Sequence, residues 1–226
     1  ASRTDRGVHA RAMVVSTSTH MPPDPLAIRG ALRGALPESI RLRAVVPVPK
    51  EFHAQFSSAG KRYRYSLFLP REPHPPEQAQ EQPEAHFAWV LPNGSLPQLS
   101  LGSFSMPRFQ QALAAMVGRR TFAGAMAHSA KQGVCNLTEA RVLRHRETQR
   151  GRRLTLSFSS DRFGKYMIRT LVGIAARCAA GDLDPAKLSG QLDREEPLNQ
   201  LMAPPEGLVL WKVRYPGRLD PFPWLA

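Results

Sequence analysis

Three short stretches carry residue types able to do chemistry on an anionic substrate. The first is SRTDRGVHA, residues 2–10. It sets one carboxylate, Asp5, between Arg3 and Arg6, with Gly7 free to turn the chain and His9 just beyond. Opposite charge nearby favours the ionised carboxylate, which could serve as nucleophile or base beside phosphate-binding arginines. The same letters also fit a loop Asp paired with Arg for structure alone, and one carboxylate without a second is a thin basis for acid–base chemistry. The second stretch is EFHAQFSSAGKRYRYSLFL, residues 51–69. Strand alternation puts Tyr63 and Tyr65 on one face and Arg62 and Arg64 on the other, with Lys61 at the start. Aromatic rings can stack on a splayed base and guanidinium groups can hold phosphates. An edge strand with tyrosines in the core and arginines in solvent has the same pattern. The third is DRFGKYMIRTLVGIAARC, residues 161–178. Phe163, Met167, Leu171 and Ile174 form a core stripe at helical spacing, while Arg162, Tyr166 and Arg169 occupy another face, with Lys165 between. An Arg inside an apolar run must find an anion or reach solvent.

Composition narrows the choice. The chain carries a net charge of +13, so its partner is expected to be a polyanion. Hydrophobic content of 42% supports a true core. Two distant cysteines, Cys135 and Cys178, make neither a disulfide framework nor a zinc site, which fits a reducing, cytoplasmic setting without a structural metal. No apolar run reaches the roughly 20 residues that span a bilayer. His9 and His53 lack partners at ligand spacing and are expected to be structural, and the glycines form no phosphate-binding loop.

The elements that must hold these residues follow from pattern and punctuation. MVVSTS (13–18) and IRLRAVVPV (40–48) read as strands, with a helix between them opening at Asp24-Pro25. KRYRYSLFL (61–69) reads as a strand. Residues 70–103, rich in Pro, Glu, Gln and Ser, read as a long surface excursion with one short strand near HFAWV. Then come a helix capped by Ser105 and stopped by Gly118, strands TEARVLRHRE and RRLTLSFSS around TQRG, a long helix from Arg162 to Gly181, a short Asp-Pro-initiated helix in DPAKLSGQLDRE, and a last strand GLVLWKVRY. From residue 61 on, this is β-α-β-β-α-β, an antiparallel sheet with helices on one face and an α+β class.

Taken in order, the three stretches resemble the TruA-type tRNA pseudouridine synthases. SRTDRGVHA resembles that family's GRTDAGVHA, EFHAQFSSAGKRYRY its DFHARFSA…RYRY, and RFGKYMIRTLVG its FxxxMVRxIVG. The closing APPEGLVLWKVRYP (203–216) resembles its APPEGLYLxxVxYP. The resemblance implies an isomerase that turns uridine into pseudouridine in tRNA, usually in the anticodon stem-loop around positions 38–40, without cofactor or metal. It implies Asp5 as the residue that breaks the glycosidic bond, by attack on the ribose or by removing a ribose proton. It implies Tyr63 as the ring that stacks on the base and exchanges the C5 proton, and Arg169 as the partner of the carboxylate. Arg3 would help displace the base or hold phosphate, and Arg6, His9, Lys61, Arg62, Arg64, Arg162 and Lys165 would contact RNA. The implied fold is two ferredoxin-like halves with a basic cleft between them, assembled as a homodimer. On that pattern residues 1–60 are an incomplete first half carrying the Asp, and residues 61–226 a complete second half. Protease is accordingly expected to cut first within residues 1–60 or within the 70–103 excursion. Ser2, Arg6, Thr121, Asn136 and Leu137 depart from the family pattern, as does the acid-rich insertion at 72–86. A non-catalytic RNA-binding or RNA-chaperone paralogue of the same fold is the alternative. Retention of Asp5, Tyr63 and Arg169 together favours the enzyme.

Overall fold

The structure is a computed structural model describing residues 3–20, 24–72, 74–126, 133–194 and 201–222. Ser2 and Glu195, which figure in the sequence reading, lie outside the described residues. The chain divides into two compact units: Arg3–Met13 with Gly60–Val213, and residues 14–59 with the segment from Arg214 onward. The segment bearing Asp5 thus groups with the C-terminal sheet rather than with residues 14–59.

The larger unit has mixed α and β structure. Its strands are β1 (His9–Ala10), β2 (Gly60–Pro70), β3 (Trp89–Val90), β4 (Gly118–Arg120), β5 (Cys135–Thr148), β6 (Gly151–Ser160) and β7 (Leu208–Arg214). Among the described residues they form one sheet in the order β1-β7-β2-β6-β5-β4, with β3 also beside β2. Helices α2 (Met106–Met116) and α3 (Met167–Ala180) complete the succession β2-α2-β5-β6-α3-β7 expected from residue 61 onward. Cross-strand register explains the core. Tyr63, Tyr65 and Leu67 of β2 face Phe158, Leu156 and Leu154 of β6, and all six are buried. Phe109, Leu113 and Met116 of α2 and Leu171 and Ile174 of α3 supply the buried helical residues. The two helices are tied end to end by Arg108, whose Nε donates to Cys178 O at 2.8 Å.

Local signals set most boundaries. Gly181 adopts φ +92 and its N–H closes α3, the left-handed cap that glycine supplies. α3 begins at Met167, five residues after the expected start at Arg162, because Tyr166 takes a left-handed φ of +63 that no helix interior accepts. The stripe position Phe163 therefore lies ahead of the helix. α2 ends at Met116, but Ser105 makes no side-chain cap bond. The segment that follows α3 contains α4 (Leu188–Gln191), introduced by Asp184, whose side chain accepts from Ala186 N–H. The excursion is not a surface strip: Ala79, Ala85, Ala88 and Val90 cluster with Phe68, and Trp89, Leu91, Leu96 and Leu99 are buried. Its polar composition hid small apolar residues spaced by 3-10 turns at Pro76–Glu81 and Pro83–His86.

In the smaller unit, α1 (Pro25–Ala35) starts as expected: Asp24 Oδ1 accepts from Leu26 N–H at 2.8 Å and Pro25 sits first in the helix. Residues 13–18 and 40–48 form no strand. Neither segment joins the sheet of described strands, and without a ladder partner alternation alone does not make a sheet. His53 is structural, its Nδ1 accepting from the backbone N–H groups of Gln55 and Phe56.

Candidate active site

The site is built where three distant segments meet on the helical face of the sheet. The first arrives on β1. His9 and Ala10 pair in parallel with Val209 and Leu210, and Arg11 N–H donates to Leu210 O at 2.9 Å, which hangs the preceding loop beside β7. Within that loop Val8 N–H donates to Asp5 O at 3.1 Å, closing a tight turn through Arg6 and Gly7. Gly7 holds φ +82, and a Cβ there would stand 2.9 Å from Pro205 Cγ. Backbone strain and contact thus both demand glycine. Gly7→Ala is expected to cost about 1–2 kcal/mol for the left-handed conformation alone. It should lower turnover further by moving Asp5 off the APPEG loop. Thermal denaturation alongside a turnover assay checks this, and unchanged turnover would show that the loop tolerates the shift.

The second segment is α3. Arg169 is 8% exposed, and its Nη1 lies 3.8 Å from Asp5 Oδ2. Its Nε donates to Ala203 O at 2.7 Å, while Ala203 N–H donates to Arg169 O at 3.1 Å. The guanidinium is therefore fixed by the APPEG segment before it meets the carboxylate, the fork geometry that distinguishes Arg from Lys. It also lies over the Tyr166 ring at 5.5 Å.

The third segment is β2. Tyr63 is buried, its ring edge-on to Phe163 at 5.2 Å. Burial, and then the negative charge of Asp5, push its phenol up to about 12. Tyr63 is thus a neutral O–H donor at neutral pH, within electrostatic reach of Asp5. Tyr65, one step along the same face, donates its O–H to Pro204 O at 2.9 Å. Gly207 lies so close to that ring that a Cβ would meet Tyr65 Cζ at 2.8 Å. The APPEG loop is thereby clamped between β2, α3 and the Asp5 turn.

Asp5, Tyr63 and Arg169 are therefore brought together. Lys61 lies on the same strand face and is buried; burial, then the charge of Arg162, pull its ammonium down from the usual range. Arg3 and Arg6 are exposed on the Asp5 loop, and Arg162 and Lys165 are exposed before α3, Lys165 lying 4.9 Å from the Tyr166 ring centre. His9 does not enter the site: its Nε2 lies 3.2 Å from His86 O and its ring packs on Phe87. Arg62 and Arg64 project from the opposite sheet face, Arg62 to Ser159 and Glu139 and Arg64 over Trp211. Two residues that the sequence reading left out of the site belong to it. Phe163 fits the helical core stripe of its sequence, and the carbonyl of Ala203 carries no side-chain signal. The departures at Thr121 and Asn136 have local partners: Thr121 N–H and Oγ1 both reach Asp193 Oδ1, and Asn136 N–H donates to Asp161. Leu137 is fully buried in β5.

A family model described as tRNA pseudouridine synthase matches residues 112–216. The chain is 31% identical to the tRNA pseudouridine synthase A of Chlorobium phaeovibrioides, covering 95% of this chain and 80% of that protein. It is 31% identical to the protein of the same name from Geobacter sp. strain M21, covering 95% and 80%, and 29% identical to that of Roseiflexus castenholzii, covering 96% and 74%. With motifs, element succession and these relatives in agreement, the chain belongs to the tRNA pseudouridine synthase A family of RNA-modifying isomerases.

Proposed function

We propose that the chain isomerises uridine to pseudouridine in tRNA, with Asp5, Tyr63 and Arg169 as its working residues. The observation that carries this reading is the convergence of one carboxylate, a fixed guanidinium and a buried neutral phenol from three separate segments. The target nucleotide leaves its stack to reach a carboxylate placed this way. Asp5 opens the N1–C1′ bond, either by attacking C1′ or by removing a ribose proton. The freed uracil turns, C5 bonds to C1′, the C5 hydrogen leaves as a proton and N1 ends protonated. No atom is gained or lost overall, so the reaction consumes no co-substrate. Arg169 holds the carboxylate through its two anchors, and Tyr63 presents its ring to the base and its O–H to the moving proton. Arg3 and Arg6, on the Asp5 loop, and Arg162 and Lys165, ahead of α3, are placed to hold flanking phosphates.

The anticodon stem-loop as target, a second ferredoxin-like half facing the first across a basic cleft, a homodimer and a cytoplasmic location belong to the same proposal. They rest on the motif resemblance and on the charge of +13. No helix among the described residues is long and apolar enough to cross a membrane.

Tritium at C5 of uridine in tRNA is released only if C5 exchanges its hydrogen for the glycosidic carbon. The chain is expected to release it stoichiometrically with pseudouridine formed, and absence of release from a folded protein overturns the reading. In equilibrium binding, Tyr63→Phe should retain base stacking, so that tRNA affinity stays within a few-fold, whereas Tyr63→Leu should lose about 1–3 kcal/mol of stacking. Equal affinities would remove Tyr63 from contact with the base.

A further inference from the structure

The sheet face opposite Asp5 carries a second arrangement that the isomerisation does not use. Register between β2, β6 and β5 places Arg62 beside Ser159 and Glu139, Arg64 beside Ser157 and Arg141, and Ser66 beside Thr155 and Arg144. Phe68, Arg153 and Arg146 form the next row. Simple alternation would send Arg141 and Arg144 to opposite faces. The register shift between Val142 and Arg144 returns them to the same one. The result is a floor of small hydroxyl side chains on β6 flanked by arginines of β2 and β5, successive same-face positions lying about 7 Å apart. At one end the excursion closes over Phe68. Toward the other end Arg62 and Arg141 keep 41% and 57% of their side chains exposed.

The arginines outnumber the carboxylates on this face. Among these register positions Glu139 is the single acid, 3.8 Å from Arg62 and 3.7 Å from Arg141. Trp211 of β7, the strand between β1 and β2, has two guanidinium groups over its ring: Arg64 at 3.4 Å and Arg11 at 4.3 Å from the ring centre. Stacking of this kind uses the flat face of a guanidinium rather than its in-plane N–H donors. Arg64 Nε is buried without a hydrogen-bond partner among the described residues. Burial, and then the charges of Arg11, Arg144 and Arg62, pull its ionisation down, while Glu139 alone pulls it up. Like charges gathered on a small-residue floor are stabilised by an incoming polyanion. A second copy of the chain is disfavoured, because two-fold pairing would set this cationic face against itself.

We propose that this face binds the phosphodiester backbone of the tRNA at a region remote from the target uridine. The proposal rests on the tRNA reading above. It makes affinity for a whole tRNA exceed affinity for a short hairpin carrying the same uridine.

The test replaces Arg141, Arg144 and Arg146 together with Gln, and in a second variant with Lys, in the full chain. Binding is measured by fluorescence anisotropy as a function of salt. Because binding is read without turnover, a failure of the isomerase reading leaves this result interpretable. Each lost phosphate contact lowers the salt slope by about 0.7–0.9. The Gln variant should therefore lose about 2 in slope and bind whole tRNA about tenfold more weakly or worse. Hairpin binding should stay unchanged, and the Lys variant should recover most of the loss. In the unaltered chain, bound tRNA should protect Arg62, Arg141 and Arg144 from phenylglyoxal, read by peptide mass mapping; this arm needs no variant to fold. Equal slopes for the Gln variant and the parent, or unprotected arginines, overturn the proposal. Conversion of a dimer to a monomer by the Gln variant with tRNA affinity intact assigns the face to a second copy instead.

Discussion

Asp5→Asn should reduce pseudouridine formation by about 10⁴-fold or more, the scale on which removal of a reacting group is felt. Asn keeps the size of the side chain and can still meet Arg169. The turn closed by Val8 N–H on Asp5 O uses the backbone, so it survives the change. What disappears is the oxygen able to attack C1′ or accept a ribose proton. Affinity for tRNA should remain within a few-fold, since a negative charge beside phosphates contributes nothing favourable to binding. Single-turnover kinetics with saturating enzyme separate the two quantities. A variant that still forms pseudouridine at a tenth of the normal rate would move the chemistry to another residue. A variant that loses binding in parallel would make Asp5 a structural residue.

Arg169→Ala is expected to act on stability and catalysis together. Removing one partner of a buried ion pair costs about 3–5 kcal/mol. The low end applies here, because the separation is 3.8 Å and the Asp5 side chain is 27% exposed. The bond from Nε to Ala203 O is lost as well, leaving the carbonyl of the APPEG loop with one donor fewer. Asp5 then has no fixed partner, and misplacement on the order of an ångström costs about 10²-fold in rate. The fall should appear in kcat rather than in KM. Arg169→Lys separates the two effects. A single ammonium cannot serve Ala203 O and Asp5 with the geometry of a fork, so it should recover stability more than rate. Equal recovery of both would mean that Arg169 merely neutralises charge.

Much of this site could be read along the chain. The Tyr63/Arg62 alternation, the Asp24-Pro25 start of α1 and the glycine closing α3 are local signals, and each is found where local physics put it. The convergence of Asp5, Tyr63 and Arg169 was legible only through the motifs, since no local rule joins residues so far apart. What stayed hidden depends on partners. Residues 13–18 and 40–48 have strand composition, yet a strand exists only against a neighbour. Phe163 and Tyr166 fit a helical wheel, but the positive φ at Tyr166 delays the helix and turns Phe163 toward Tyr63. The bulge in β5 is invisible to period-two counting and decides which arginines share a face. The acid-rich excursion shows the reverse: a polar composition conceals alanines that cover Phe68.

The two-residue pairing of β1 with β7 has a consequence for synthesis. His9 is matched to Val209 and Ala10 to Leu210, positions 200 residues apart. A ribosome makes the Asp5 loop 200 residues ahead of its anchoring strand. The nascent chain therefore holds the Asp5 loop undocked until Val209 and Leu210 have left the exit tunnel. Closing so long a loop costs only about 0.6 kcal/mol more than closing one half its length, so the delay is one of order rather than of energy. Domains form as their segments emerge. Here the support of the carboxylate is made 200 residues after the loop that carries it, and the loop can dock only once β7 has followed.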